Sequence, residues 1–170
     1  DTPSDQMAAP VSVLQGEDLV QRRASTLGET LELQPGIHAS HFGIASSRPV
    51  IRGLDAARVR VMSDGIDVMD ASTISPDHAV ALEPGLSRRI EVIRGPSALV
   101  YGSGAIGGVV NVLDERIPTR LPANGVEGSA ELRGNTGSRE RTGAFGVTAG
   151  AGRFAIRAEG LARRAGDYAV

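Results

Sequence analysis

The C-terminal segment, residues 120–170, constrains the fold most tightly. "GVEGSAELRGN" sets Val126, Gly128, Ala130 and Leu132 against Glu127, Ser129, Glu131 and Arg133 in unbroken alternation. "RTGAFGVTAGA" and "RFAIRAEGLARRA" repeat the pattern, placing Phe145, Val147 and Ala149, then Phe154, Ile156 and Ala158, on one face. Successive side chains of a strand point to opposite faces, so a period of two predicts strands whose faces meet different surroundings. "NTGSRE" and "GAGR" read as the turns between them, which makes three strands in antiparallel series. Apolar residues on one side and small or charged ones on the other match transmembrane β-barrel strands, lipid outside and lumen within. A soluble β-meander has the same period. Three strands cannot close a barrel, so the segment is expected to be the incomplete start of one.

Charge marks a boundary ahead of these strands. Residues 1–119 hold ten Arg and fifteen acids, net −5, whereas residues 120–170 hold eight Arg and five acids, net +3. Two domains are therefore expected, 1–119 and 120–170. The whole chain is 41% hydrophobic, enough for a core, and its net charge of −2 argues against general nucleic-acid binding. Cysteine is absent, which excludes disulfides and thiolate metal sites. No apolar run is long enough for a transmembrane helix, and no signal peptide stands at residue 1. That pattern fits a cytosolic chain or the mature form of an exported one.

The first domain mixes helix and strand signals. "VSVL" is a short strand, and "EDLVQRRA" is an amphipathic helix with acids at its start and Arg22 and Arg23 at its end. Thr26 and Glu29 form a T-x-x-E capping box for a second helix that Pro35-Gly36 closes. Residues His38 to Ser47 have no period and are expected to be a loop. "RPVIRG" and "RVRVMSDGIDVMD" are strands, the latter a hairpin about Asp64-Gly65. "ASTISPDHAVALEPG" is mostly loop, "SRRIEVIRG" a strand alternating Ile90 and Val92 against Glu91 and Ile93, and "GVVNVL" a last strand. The expectation is an α+β unit: a small mixed sheet with short helices.

"YGSGAIGGVVNV" contains a G-x-G-x-x-G at Gly102, Gly104 and Gly107. A dinucleotide site needs a strand running into such glycines and a helix starting on them, so that pyrophosphate meets free backbone N–H groups. Here Pro96 opens a helical turn before the glycines and a β-branched run follows them. The order is reversed, and the glycines are read as a tight corner.

"RPVIRGLDAARVRVMSDGIDV" followed by "RRIEVIRGPSALVYGSGAIGGVVNVLDERIP" closely resembles the plug domain of TonB-dependent outer-membrane receptors. The resemblance covers Val11 to about Pro118, and the tail is similar to the first barrel strands. It implies a globular plug filling a large β-barrel in the bacterial outer membrane, rearranged by TonB at the expense of the inner-membrane proton gradient. It also implies that Arg52 and Arg94 pair with barrel carboxylates and lock the plug in place. Bidentate guanidinium–carboxylate pairs suit that task, being strong yet breakable by mechanical work. The alternative is that both arginines are hydrogen-bonded within the plug. "DTPSDQMAAP" shows no convincing TonB box.

The ligand signal lies in "ISPDHAVALEPG". Its S-P-D-H-A run resembles zinc-uptake receptors of the ZnuD type, which implies that Asp77 and His78 supply part of a zinc site completed by the barrel. Zn²⁺ accepts imidazole nitrogen and carboxylate oxygen, usually with four ligands, so an incomplete set from the plug suits an ion that must be released. His38 and His41 are secondary candidates for outer capture. Asp64, Asp67 and Asp70 lack the spacing of an EF-hand.

The expected function is thus TonB-dependent import of zinc. Haem, with His78 as an axial ligand, or a siderophore-bound iron stands as the alternative within the family. A stand-alone periplasmic interaction module is the alternative outside it. No G-x-S-x-G elbow or other catalytic constellation is present, so no enzyme is expected, and no permanently bound cofactor.

Overall fold

The computed structural model describes residues 11–43 and 45–167. The chain divides into two compact units between Asp114 and Glu115, slightly ahead of the charge step.

The first unit runs β1 (Val11–Gln15), α1 (Gly16–Arg22), α2 (Leu27–Leu31), β2 (Ile37–Ala39), β3 (Pro49–Ile51), β4 (Val59–Ser63), β5 (Ile66–Asp67), β6 (Arg89–Ile93) and β7 (Gly108–Leu113). A five-stranded mixed sheet has the order β1-β6-β7-β4-β5, with β4 and β7 parallel and the other neighbours antiparallel. The β-branched residues of its three central strands alternate inward, Val59 and Val61, Ile90 and Val92, Val110 and Val112, and all are buried. Leu19 of α1 and Leu27 and Leu31 of α2 join the same cluster. Each such side chain, fully withdrawn from water, contributes roughly 1.5–3 kcal/mol.

The opposite face of the sheet is also covered at its centre. Met62, Ile93 and Val109 pack with Ala98 and Ala105 from the 3-10 turns Pro96–Tyr101 and Ser103–Ala105. This explains why Ile93, placed beside Glu91 on the outer face by alternation, is nonetheless buried. The glycine corner is its lid.

Two local signals take the expected form. Thr26 caps α2: its Oγ1 accepts from the Glu29 N–H at 3.2 Å and donates to Glu29 Oε2 at 2.9 Å. The Asp64-Gly65 hairpin has φ of 49° and 82° at its two central residues, the left-handed pair of a type I′ turn, where glycine carries no Cβ penalty. The loop expected over residues 38–47 is only partly one. Ile37–Ala39 form β2, which pairs antiparallel with β3 and sets His38 opposite Val50. Ile37 is buried against Ile51, and that short run is too brief to show a period.

The second unit is a three-stranded antiparallel sheet of β8 (Val126–Asn135), β9 (Glu140–Ala151) and β10 (Phe154–Arg164), in the order β10-β9-β8. Its register puts Phe145 between Ala130 and Gly160, and Val147 between Gly128 and Ala158, large residues beside small. Phe145, Val147, Phe154 and Ile156 are exposed. On the other face Glu140, Thr142 and Thr148 are buried, and Arg163 pairs with Glu140 at 3.3 Å while Arg157 pairs with Glu159 at 2.9 Å. An apolar face left outside and a charged face held in is the reverse of a soluble sheet and the pattern of a barrel wall. No helix among the described residues is long and apolar enough to cross a membrane.

Candidate functional site

Asp70 to Ala81 form a loop whose ends meet. The Asp70 carboxylate accepts from the Ser72 N–H at 2.9 Å through Oδ1 and from the Ala81 N–H at 2.9 Å through Oδ2. Val80 is buried in the main core next to the partly buried Leu82. The loop is anchored at its base and its far residues stand in solvent.

Asp77 and His78 lie on that outer part, each with 54% of its side chain exposed. His78 Nδ1 is 3.0 Å from Asp77 Oδ1, and the Ser75 hydroxyl donates to the same oxygen. The Ser75 hydrogen bond first, then that of His78, hold the Asp77 carboxyl below the usual aspartate range. With its proton on Nδ1, His78 donates to Asp77 and carries its lone pair on Nε2, the form in which imidazole takes a metal. The pair therefore offers one imidazole nitrogen, oriented by a carboxylate. Ser46 Oγ donates to the Asp77 carbonyl at 3.0 Å and fixes the backbone beneath.

The other histidines are not brought to this pair. His38 is exposed on β2, and His41 is exposed with Nε2 3.3 Å from Glu32 Oε1. Among the described residues no group of three or more His, Asp or Glu stands close enough to hold a metal ion.

Arg52 and Arg94 are brought together. Arg52 follows β3 in a left-handed conformation (φ 52°), and its N–H donates to the Gly36 carbonyl at 3.0 Å. Arg94 follows β6 and donates from Nη1 to the Pro35 carbonyl and from Nη2 to Ser12 Oγ. Burial, then the like charge of Arg52, hold Arg94 below the usual arginine value. Arg94 Nε is buried without an acceptor among the described residues. Arg94 thus has bonds within its own unit and capacity left over.

The glycine motif is a packing device. β7, not a helix, follows Gly107. A Cβ on Gly107 would lie 2.9 Å from Leu54 Cβ and 3.0 Å from the Arg58 carbonyl oxygen, to which the Gly107 N–H donates at 2.8 Å. That N–H is committed to the backbone, so no phosphate is cradled there.

Sequence reasoning missed the residue behind the loop. Arg48, 4% exposed, bonds from Nη1 to Ser72 Oγ and from Nη2 to the Ala56 carbonyl at 3.3 Å, and its Nη1 lies 3.7 Å from Asp70 Oδ1. Burial pushes its guanidinium down from the usual value, and Asp70 and then Asp55 pull it back up. In "SSRPV" nothing distinguishes it from a solvated arginine.

A compact mixed-sheet unit with a glycine corner, followed by strands bearing an outward apolar face, defines a plug joined to the start of a membrane barrel. The model of the TonB-dependent receptor plug domain matches residues 3–109, and the chain belongs to that family. The family is one of outer-membrane receptors, and the outer membrane is this chain's location.

Solved structures agree. The siderophore receptor PirA from Pseudomonas aeruginosa is 28% identical with a TM-score of 0.67, over 96% of this chain and 30% of that one. The unliganded ferric citrate transporter FecA is 27% identical with a TM-score of 0.69, over 94% of this chain and 26% of that one. PirA from Acinetobacter baumannii, 20% identical, shares the fold with a TM-score of 0.72 over 95% of this chain and 25% of that one. The chain thus spans under a third of the length of these receptors. Residues 1–10, the stretch without a convincing TonB box, lie outside the described residues.

Proposed function

We propose that this chain is the plug, with the opening barrel strands, of a receptor that carries a metal-bearing ligand across the outer membrane in steps driven by TonB. The observation that carries the reading is the joint match of plug and strands to a siderophore receptor and a ferric citrate transporter at 28% and 27% identity. An iron chelate is accordingly the first cargo. In this reading Arg52 and Arg94 pair with carboxylates of the remaining barrel, which would neutralise two guanidiniums that feel each other's charge.

A second cargo, zinc, has its own support in the Asp77–His78 pair. One imidazole nitrogen, oriented by a carboxylate, is one donor of a tetrahedral set, and the receptor's loops and wall would supply the rest. The likeness to receptors of the ZnuD type rests on these same residues. Haem import would use His78 alone, as an axial ligand.

Calorimetry on the intact receptor separates the cargoes. Zinc binding that falls at least about tenfold in His78→Ala, the scale of a lost metal ligand's support, upholds zinc. Binding of a ferric siderophore or ferric citrate, with zinc inert, upholds iron. Binding of none of these ligands, with no uptake of any, overturns the transport reading.

A further inference from the structure

The loop that carries Asp77 and His78 is closed by one carboxylate, and one buried cation stands behind that carboxylate. Asp70 Oδ1 serves the Ser72 N–H and Oδ2 serves the Ala81 N–H, so the two ends of the loop share a single group. Ser72, 1% exposed, donates its hydroxyl to Asp70 and receives Arg48 Nη1 on the same oxygen. Arg48 in turn is tied to β2–β3: its N–H donates to Ser40 Oγ at 2.9 Å, and its carbonyl accepts from the Ser40 N–H at 2.9 Å. Two residues earlier, Ser46 holds the Asp77 carbonyl. One short segment therefore grips the loop at its base and beneath its exposed pair.

A buried ion pair adds little stability when set against apolar packing, but removing one partner leaves the other charge stranded. Such pairs fix geometry. An exposed loop without this one would sample many arrangements, and a ligand would have to order it on binding.

We propose that Arg48 and Asp70 are positioning residues, a clasp that presents Asp77 and His78 in one arrangement to the incoming metal. The proposal rests on the reading of the Asp77–His78 pair as a zinc donor, and its two halves are separable by experiment.

Asp70→Asn in the intact receptor is the sharpest test. The amide keeps one acceptor oxygen, but its NH₂ meets a backbone N–H of Ser72 or Ala81 donor to donor, so one end of the loop is released. Amide hydrogen exchange should speed up over residues 71–81 while β6 and β7 keep their protection. Calorimetry with zinc ions alone should show affinity reduced about tenfold, the scale of one lost charge-assisted hydrogen bond. Adding His78→Ala should then cost little more, because the clasp acts through that side chain. Arg48→Lys, which keeps the charge and loses the fork, should give a weaker version of both effects.

Unchanged exchange over 71–81 in Asp70→Asn overturns the clasp. So do affinity losses of Asp70→Asn and His78→Ala that simply add. If His78→Ala alone leaves zinc binding unaltered, the donor reading falls and with it the positioning role, whereas faster exchange in Asp70→Asn still upholds the clasp as the closure of the loop.

Discussion

Asp77 is the residue whose environment is most readily checked. Its carboxylate is held below the usual range by Ser75 and His78, so the charged form and its hydrogen bonds persist through the pH at which ordinary aspartates protonate. A depressed folded value means that this contribution is present above the unfolded value and fades as pH falls through the folded one. Carbon-detected NMR titration of Asp77 should therefore give a midpoint below the ordinary aspartate value, and Ser75→Ala should move it upward. A midpoint unmoved by that substitution would contradict the hydrogen-bond assignment. Gly107 makes a second residue-scale claim. A Cβ there would lie 2.9 Å from Leu54 Cβ and 3.0 Å from the Arg58 carbonyl oxygen, so Gly107→Ala should destabilise the plug by about 1–3 kcal/mol in denaturant melts. An alanine tolerated without loss would show that the corner is looser than described.

At the scale of elements, the sequence was most legible where local chemistry alone decides the structure. The Thr26 cap, the Asp64-Gly65 hairpin and the three alternating strands each form as their residues dictate. Thr26→Ala should cost about 1 kcal/mol, read by melting of the plug, because the Glu29 N–H loses its acceptor. Val147→Arg puts a charge on the exposed apolar face of β9 and should cost about 2–4 kcal/mol if that face lies at the bilayer midplane. Folding yield into lipid vesicles measures it, with Glu127→Arg on the polar face of β8 as the comparison. Equal yields from the two would argue against a lipid-facing side. Less legible was whatever depends on distant partners. β2 is strand only because β3 lies beside it, and Ile93 is buried only because the glycine corner folds over it. Arg48 reads as solvated until Asp70, Ser72 and Ala56 converge on it. Of the candidate site, the adjacency of Asp77 and His78 was written in the chain, but their mutual hydrogen bond and the clasp below were not.

At the scale of the molecule, the two units play different physical parts. The plug has a core on both faces of its sheet and closes on itself. The strands β8 to β10 have their charged face paired and their apolar face bare, and they make sense only as wall. We propose that the complete receptor binds its ligand from outside without energy and moves it inward only when the plug is disturbed. Uptake of metal-loaded ligand by cells carrying the intact receptor, measured with and without the inner-membrane proton gradient, tests that directly. The account predicts that collapsing the gradient abolishes uptake of an iron chelate or zinc while surface binding persists. Uptake that continues at the same rate in de-energised cells would contradict it.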